Sequence, residues 1–315
     1  MPNVLMRHPR ELDALGAPVV LALGVFDGVH IGHQAVLRAA ARWAAGGRAV
    51  AVPLTFDPHP RHFLAGEEQP PRLLTNLPHK RLILERLGFP HVLALPFNAH
   101  LAAMPAEGFL DFILSHGPPI HGIVTGFDFR FGHCRGGDSQ LLEEIAAGRG
   151  FGFEAIEPVR VGGERVSSTR IREVVAAGEL DLCEPWLGRP YTVFGVVSQG
   201  RRLGRRIGFP TANVEPACEQ LPPDGVYAVE TRIEGQGEPL GGVANLGMRP
   251  TVCENEKQRR LEVHLFDFEG DLYGRSLETR FLRHLRGERS FEGIDQLKAA
   301  IAGDAEAARR VLAGG

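Results

Sequence analysis

Four times in the first half of the chain a continuous apolar run is followed by a segment whose apolar residues recur at helical spacing, and in the second half that alternation stops. "VVLALGVF" leads to "HQAVLRAAARWAAGG", "RAVAVPLTF" to "LPHKRLILERLG", "HVLALPF" to "PAEGFLDFILSHG" and "IHGIVTGFDFRFG" to "DSQLLEEIAAGRG". A strand with no polar alternate positions must be covered on both faces, and the intervening helices supply the cover. The arrangement that satisfies both is a parallel sheet between two helical layers. A shorter helical patch runs from about Thr169 to Trp186. Beyond it, "YTVFGVVSQG", "GVYAVETRIEG", "LGGVANLGMRP", "RLEVHLFDFEGDLYG" and "SLETRFLRHLRG" are strands separated by turn residues, a pattern that predicts an antiparallel barrel or sandwich. "RRLEVHLFDFEGDLYG" reads as a hairpin turning around Glu269, Gly270 and Asp271. The chain closes on an amphipathic helix with Ser290 as its N-cap. Proline and glycine interrupt both rhythms in "EPWLGRPY", residues 184–191, which divides the chain into residues 1–186 and 187–315.

With 315 residues there is enough chain for two separate cores. A formal net charge of −3 gives no general attraction to nucleic acid or to acidic membranes. No apolar run reaches the length of a membrane span, and "MPNVLMRHPRELDALG" lacks the apolar centre of a signal peptide. Cys134, Cys183, Cys218 and Cys253 form no Cys-x-x-Cys pair and read as reduced, structural thiols of a cytoplasmic protein.

The stretch "GVFDGVHIGH", residues 24–33, stands at the end of the first apolar run and the start of the first helix. In open parallel sheets ligands collect at the carboxyl ends of strands, and a helix N-terminus there offers free N–H groups and a partial positive charge suited to phosphate. Gly24, Gly28 and Gly32 let backbone approach a polyphosphate, and His30 and His33 can donate to charge developing on its α- and β-phosphates. Read alone, the same stretch is a glycine-rich turn with two surface histidines, or half of a metal site that no nearby cysteine or carboxylate completes. "GFDFRFG", residues 126–132, ends another strand, and "SSTRIR", residues 167–172, opens a helix for which Ser167 or Ser168 is a satisfactory cap.

"GVFDGVHIGH", "TFDPHP", "GFDFRFG" and "SSTRIR", in this order, resemble the adenylyltransferase module of prokaryotic bifunctional riboflavin kinase/FAD synthetases, members of the His-x-Gly-His nucleotidyltransferase superfamily. The resemblance implies a Rossmann-like domain. It implies that His30 and His33 bind and polarise ATP phosphates, with Phe26 and Asp27 in the same loop. It also implies that Asp128 lies near nucleotide and flavin, and that Ser167, Ser168, Thr169 and Arg172 hold the triphosphate.

In the second half, "GRRLGRRIGFPTAN", residues 200–213, carries arginines that read either as an RNA-binding patch or as a solvated basic face. In "GFPTAN" Pro210 fixes the backbone, leaving the Thr211 hydroxyl and the Asn213 amide as hard oxygen ligands of the kind Mg²⁺ accepts, although Thr-Ala-Asn is also ordinary turn chemistry. Glu262 and His264 alternate with Leu261, Val263 and Leu265, so they share one strand face. Lining a barrel mouth, Glu262 can take a proton from an attacking hydroxyl; facing water, it is a solvated charge.

"GFPTAN", "GVYAV", "GVANLGMRPT", "LEVHLFDFEGDLYG" and "FLRHLRGERSFEGIDQLKAAIAGD" resemble the riboflavin kinase module of the same family, a small Greek-key barrel. By that resemblance Gly200, Gly204, Gly208 and Pro210 belong to the nucleotide site, Thr211 and Asn213 bind Mg²⁺ and ATP phosphates, and Glu262 is the general base. The activity implied is phosphorylation of riboflavin to FMN and adenylylation of FMN to FAD, with ATP in both steps. Neither a nucleic acid nor a membrane partner is implied, and self-association is weak at most. Two departures stand out: Arg-Arg-Leu fills the loop between Gly200 and Gly204 where some relatives carry another glycine, and "RPTVCENEKQRRLEV" lacks glycines often found before the catalytic strand. The readings left in competition are a kinase fused to a nucleotidyltransferase for another phosphate ester, and a non-catalytic flavin-binding regulator.

Overall fold

The computed structural model describes residues 4–65, 70–199, 208–216, 219–250 and 257–314. They group into two units, Met1–Leu73 with Leu77–Arg170 and Trp186–Gly188, and Leu74–Asn76 with Ile171–Pro185 and Arg189–Gly315.

The first unit holds a six-stranded parallel sheet of β1 (Val4–Met6), β2 (Val19–Leu23), β3 (Val50–Asp57), β4 (His91–Pro96), β5 (Ile120–Gly126) and β6 (Gly152–Ile156), in the order β1-β4-β3-β2-β5-β6. All five residues of β2 are buried, as its unbroken apolar run requires. Leu21 and Leu23 join a cluster with Leu54, Phe56 and Phe109 on one face. Val20 and Ala22 join Val36, Leu37 and Leu84 on the other, so successive residues of one strand feed two cores. Trp43 lies over the paired glycines Gly122 and Gly152: a Cβ on Gly122 would come within 2.7 Å of its ring. Strand order reverses at β2, between β3 and β5, so the carboxyl ends of β2 and β5 flank the topological switch point. A short hairpin of β7 (Arg160–Val161) and β8 (Glu164–Arg165) follows. The helical patch resolves into Ser168–Ala177 and Glu184–Leu187, joined by a 3₁₀ turn at Leu180–Cys183.

In the second unit β9 (Thr192–Ser198), β10 (Ala212–Glu215), β11 (Gly225–Ile233), β12 (Leu240–Pro250), β13 (Lys257–Leu265) and β14 (Ser276–Arg286) close an antiparallel barrel in the order β10-β13-β12-β11-β14-β9. Ala212, Val214, Ala244, Leu246, Leu261, Val263 and Leu277 are buried at alternate positions. The helix Ile294–Ala313 packs Ala308 against Val226, Ala228, Val243 and Phe266, and Arg286 grips Asp304 through two bonds of 2.8 and 2.6 Å.

The fold class is the one the sequence patterning calls for, with two local corrections. β13 and β14 do not form a hairpin: β13 pairs with β10 and β12, β14 with β11 and β9. Glu269, Gly270 and Asp271 therefore belong to a ten-residue crossing, because β14 has to reach the strands that complete the barrel. Ser290 does not cap the last helix; Gly293 occupies that position without a side-chain bond.

Candidate active sites

The first cluster forms where β2 gives way to the helix Ile31–Gly47. The connection turns sharply through positive φ at Phe26 (52°), Gly28 (80°) and Val29 (44°). Glycine adopts this freely, but a phenylalanine and a β-branched valine cost about 1–3 kcal/mol each there, so the surroundings must hold them. Every second carbonyl of the turn is held by a side chain from elsewhere. Val25 O accepts from Thr55 Oγ1 at 2.9 Å and from Lys80 Nζ at 2.7 Å. Asp27 O accepts from Ser168 Oγ at 2.9 Å, and Val29 O from Gln34 Nε2 at 3.0 Å.

His30 is the N-cap: its Nδ1 accepts from the His33 backbone N–H at 3.3 Å. With Nδ1 accepting, the proton of the neutral ring sits on Nε2, which makes Nε2 a donor. The two imidazoles stack at 3.6 Å between centroids, and Phe26 meets His33 edge-on at 5.4 Å. His33 Nδ1 is buried with no hydrogen-bond partner among the described residues. Burial, then His30, then the Lys80 ammonium hold the His33 ring well below the ordinary imidazole range, so it is neutral at physiological pH. Gly24 and Gly32 are also required by the packing of the turn itself. A Cβ on Gly24 would stand 2.9 Å from the Phe26 ring, and one on Gly32 would stand 3.1 Å from the His30 ring.

Ser167 Oγ accepts from the Arg170 N–H at 3.3 Å, the capping bond, while Ser168 turns to Asp27. Thr169 follows in the same first turn, and Arg172 lies one turn further along, among residues that group with the barrel. Asp128 sits just past β5, exposed and paired with Arg165 of the β7–β8 hairpin.

The second cluster is written by strand register. Asn213 on β10 stands directly opposite Glu262 on β13, which stands directly opposite Asn245 on β12. Residues opposite one another across a sheet share a face, so a carboxylate lies between two carboxamides, on the side away from buried Leu261 and Val263. Asn245 Nδ2 lies 3.3 Å from Glu288 Oε1. Thr211 is exposed just ahead of β10, and a pocket opens beside it between Pro210, Val197, Val263, Phe268 and Tyr273. The Pro210 carbonyl lies 2.7 Å from His264 Nδ1, with Phe209 and Phe266 edge-on to the imidazole at 5.6 and 5.8 Å. Gly208 turns at a φ of 87° with open space where a Cβ would be.

Thr211 and Asn213 offer hard oxygens two residues apart, and no cluster of three His, Cys, Asp or Glu side chains able to cage a metal occurs among the described residues. That donor set fits a cation such as Mg²⁺, which takes few protein ligands and completes its shell with water and substrate phosphate. Gly200 and Gly204, with Arg201 and Arg202 between them, fall outside the described residues, as do Cys218, Cys253 and residues 251–256. Among the described residues Cys134 is an exposed thiol, and Cys183 is buried, its thiol pushed up to about 12 by burial.

Sequence patterning alone did not single out Lys80, Thr55, Gln34, Asn245 or Arg165. Lys80 carried the one available signal, a lysine in register with Ile83 and Leu84 on the buried face of its helix.

Residues 13–170 match the FAD synthetase family and residues 187–312 match the riboflavin kinase family. The chain is 42% identical to the bifunctional riboflavin kinase/FMN adenylyltransferase of Pseudomonas fluorescens, across 93% of either chain. It is 40% identical to that of Escherichia coli strain K12, across 92% of this chain and 91% of the other. With that of Bacillus subtilis strain 168 the identity is 35%, across 98% of both. A crystal structure described as a macrolide-efflux protein from Streptococcus pneumoniae superposes with a TM-score of 0.78 at 29% identity, covering 98% of this chain and 99% of that one. Among the described residues no helix is long and apolar enough to cross a membrane.

Proposed function

Because the chain belongs to the bifunctional riboflavin kinase/FMN adenylyltransferase family, phosphorylating riboflavin to FMN and adenylylating FMN to FAD, we propose a residue-level division of the two reactions between two segments of the sequence. Residues 1–186 carry out the adenylylation and residues 187–315 the phosphorylation.

In the adenylyltransferase the ATP triphosphate lies against the turn 24–30 and the N-terminus of the helix Ile31–Gly47. A phosphate oxygen of FMN attacks the α-phosphorus, the bond to the bridging oxygen breaks, and pyrophosphate leaves. No covalent enzyme intermediate is needed, so catalysis is positioning and charge stabilisation. His30, through its Nε2–H, and neutral His33 meet the charge that develops on the α- and β-phosphates. Ser167, Ser168, Thr169 and Arg172 steady the triphosphate, and Asp128 with its partner Arg165 borders the flavin.

In the kinase Glu262 accepts the proton of the riboflavin 5′-hydroxyl, the oxygen attacks the γ-phosphorus in line, and ADP departs. Thr211 and Asn213 would hold Mg²⁺, whose charge would shield the phosphates of ATP. His264 keeps the Pro210 carbonyl, and with it Thr211, in place. The pocket beside Thr211, with Phe268 and Tyr273 in its lining, receives the purine of ATP. What most supports this reading is Asn213 standing directly opposite Glu262, a hard oxygen ligand and a base on one sheet face. The enzyme works in the cytoplasm on small molecules, without nucleic acid or membrane partners, and associates with itself weakly at most.

A time course with riboflavin and ATP labelled at either the α- or the γ-phosphate tests the reading. The γ-label is expected first in FMN, and the α-label later in FAD alone. If FMN forms but the α-label never enters a flavin, the first unit serves another phosphate ester. If flavin binds and neither label moves, the regulator reading replaces this one.

A further inference from the structure

Lys80 lies on the helix Leu77–Arg86 in register with Ile83 and Leu84, where the buried face calls for an aliphatic residue, and it is 4% exposed. Withdrawing an ammonium from water is costly unless polar partners replace the water. Its Nζ lies 2.7 Å from Val25 O and 3.4 Å from Thr55 Oγ1, and Thr55 Oγ1 itself donates to Val25 O at 2.9 Å. Thr55 is wholly buried near the end of β3. A helix and a neighbouring strand thus converge on one carbonyl, that of the residue immediately before the positive-φ position Phe26. Five residues on, the same segment delivers His30 to the head of its helix. Phe26 also packs edge-on against His33, so a shift at Val25 reaches both imidazoles.

We propose that Lys80 is a positioning residue for FMN adenylylation: its buried ammonium, together with the Thr55 hydroxyl, clamps the Val25 carbonyl and so fixes the turn that carries His30 and His33. An ammonium serves where a neutral donor would not, because a charged donor binds a carbonyl more strongly and in a dry site keeps hold of it. The clamp also acts next to Phe26, the first residue of the turn at positive φ. This inference rests on the assignment of ATP to residues 24–33, and the experiment separates the two.

FAD formation from FMN and ATP, and FMN formation from riboflavin and ATP, are measured on the full chain carrying Lys80→Met, Thr55→Val, both, or His33→Ala. A turn misplaced by about an ångström costs about 100-fold, so Lys80→Met is expected to lower kcat/KM for FAD formation by that factor while FMN formation stays within experimental error of the parent. Thr55→Val, which loses one neutral donor, lowers it about fivefold. The double variant is no worse than Lys80→Met alone, because both side chains act on one carbonyl. A lysine that only packed would be replaced by methionine without loss of rate per folded molecule, so FAD formation at equal folded fraction reads the clamp. The ammonium also acts on His33, with His30 as the other titratable group acting on the ring, so the acid limb of residual activity moves to higher pH in Lys80→Met. FAD formation unchanged in Lys80→Met, or losses that multiply in the double variant, overturns the proposal. Should Lys80→Met fail to unfold cooperatively, an unchanged rate in Thr55→Val contradicts the clamp by itself. If His33→Ala leaves FAD formation intact, it is the ATP assignment that fails, whatever Lys80 does.

Discussion

The two clusters are built by opposite means. In the parallel-sheet unit the proposed functional groups sit within one short turn, residues 24–33, forced through three positive-φ positions and held by carbonyl bonds to Thr55, Lys80, Ser168 and Gln34. In the barrel they sit on three strands, brought side by side by ladder pairing of Asn213, Glu262 and Asn245, with little local strain. A turn concentrates its chemistry in sequence but relies on distant side chains for its shape. A sheet face disperses its chemistry in sequence but obtains its geometry from the backbone. The first should therefore be sensitive to buried substitutions that touch no ligand, and the second mainly to loss of the reacting groups.

The largest expected effect belongs to the barrel's oxygen donors. Thr211→Ala with Asn213→Ala is predicted to reduce FMN formation about 1,000-fold, the scale of a lost metal contribution, while FAD formation from supplied FMN is unchanged. A parallel loss of both activities would show that the two clusters are not separate.

A smaller change tests the turn. In Gly32→Ala the new Cβ stands 3.1 Å from the His30 imidazole, which must give by a few tenths of an ångström. FAD formation should fall about tenfold with FMN formation untouched. A neutral outcome would mean that the stacked pair is not held to a fixed geometry.

The third prediction concerns protons. The folded-state pKa of His33 lies well below 6.5, so in the window from 6.5 down to that value the unfolded chain binds a proton that the folded chain does not. The stability this neutral ring supplies is present above pH 6.5 and is lost as pH falls. Thermal unfolding between pH 7 and 5 should show the loss, with a limiting slope of about 1.4 kcal/mol per pH unit, and His33→Gln should flatten it. Equal slopes in the two proteins would contradict a neutral His33.

The fourth effect is on stability alone. Arg286 and Asp304 are mostly buried and doubly bonded, so Arg286→Ala strands a carboxylate and should cost about 2–3 kcal/mol in chemical denaturation. Neither candidate cluster includes this pair.

How much of this was legible in the sequence follows the same contrast. Apolar runs and helical spacing were sufficient for the sheet and the barrel, because burial on two faces or on one leaves a periodic trace. The turn was legible as a motif, since its glycines and histidines are adjacent in the chain. Its clamp was not: Lys80 is 55 residues from Val25, and only its misfit with Ile83 and Leu84 hinted at a task. Alternation placed Glu262 and His264 on one face, but Asn245 became its neighbour only through the β12–β13 register. The presumed hairpin after β13 failed for a related reason. Turn residues around Gly270 mark a reversal, and they do not say which strand the returning chain will pair with.

The most direct test of the division between the units is to measure four rates on the full chain: FMN formation and FAD formation, each in Glu262→Gln and in His33→Ala. Glu262→Gln is predicted to lose FMN formation and to convert supplied FMN to FAD at the parent rate. His33→Ala is predicted to make FMN normally and to stop there. A variant that loses both reactions, or either reaction surviving the loss of its assigned residue, would contradict the account.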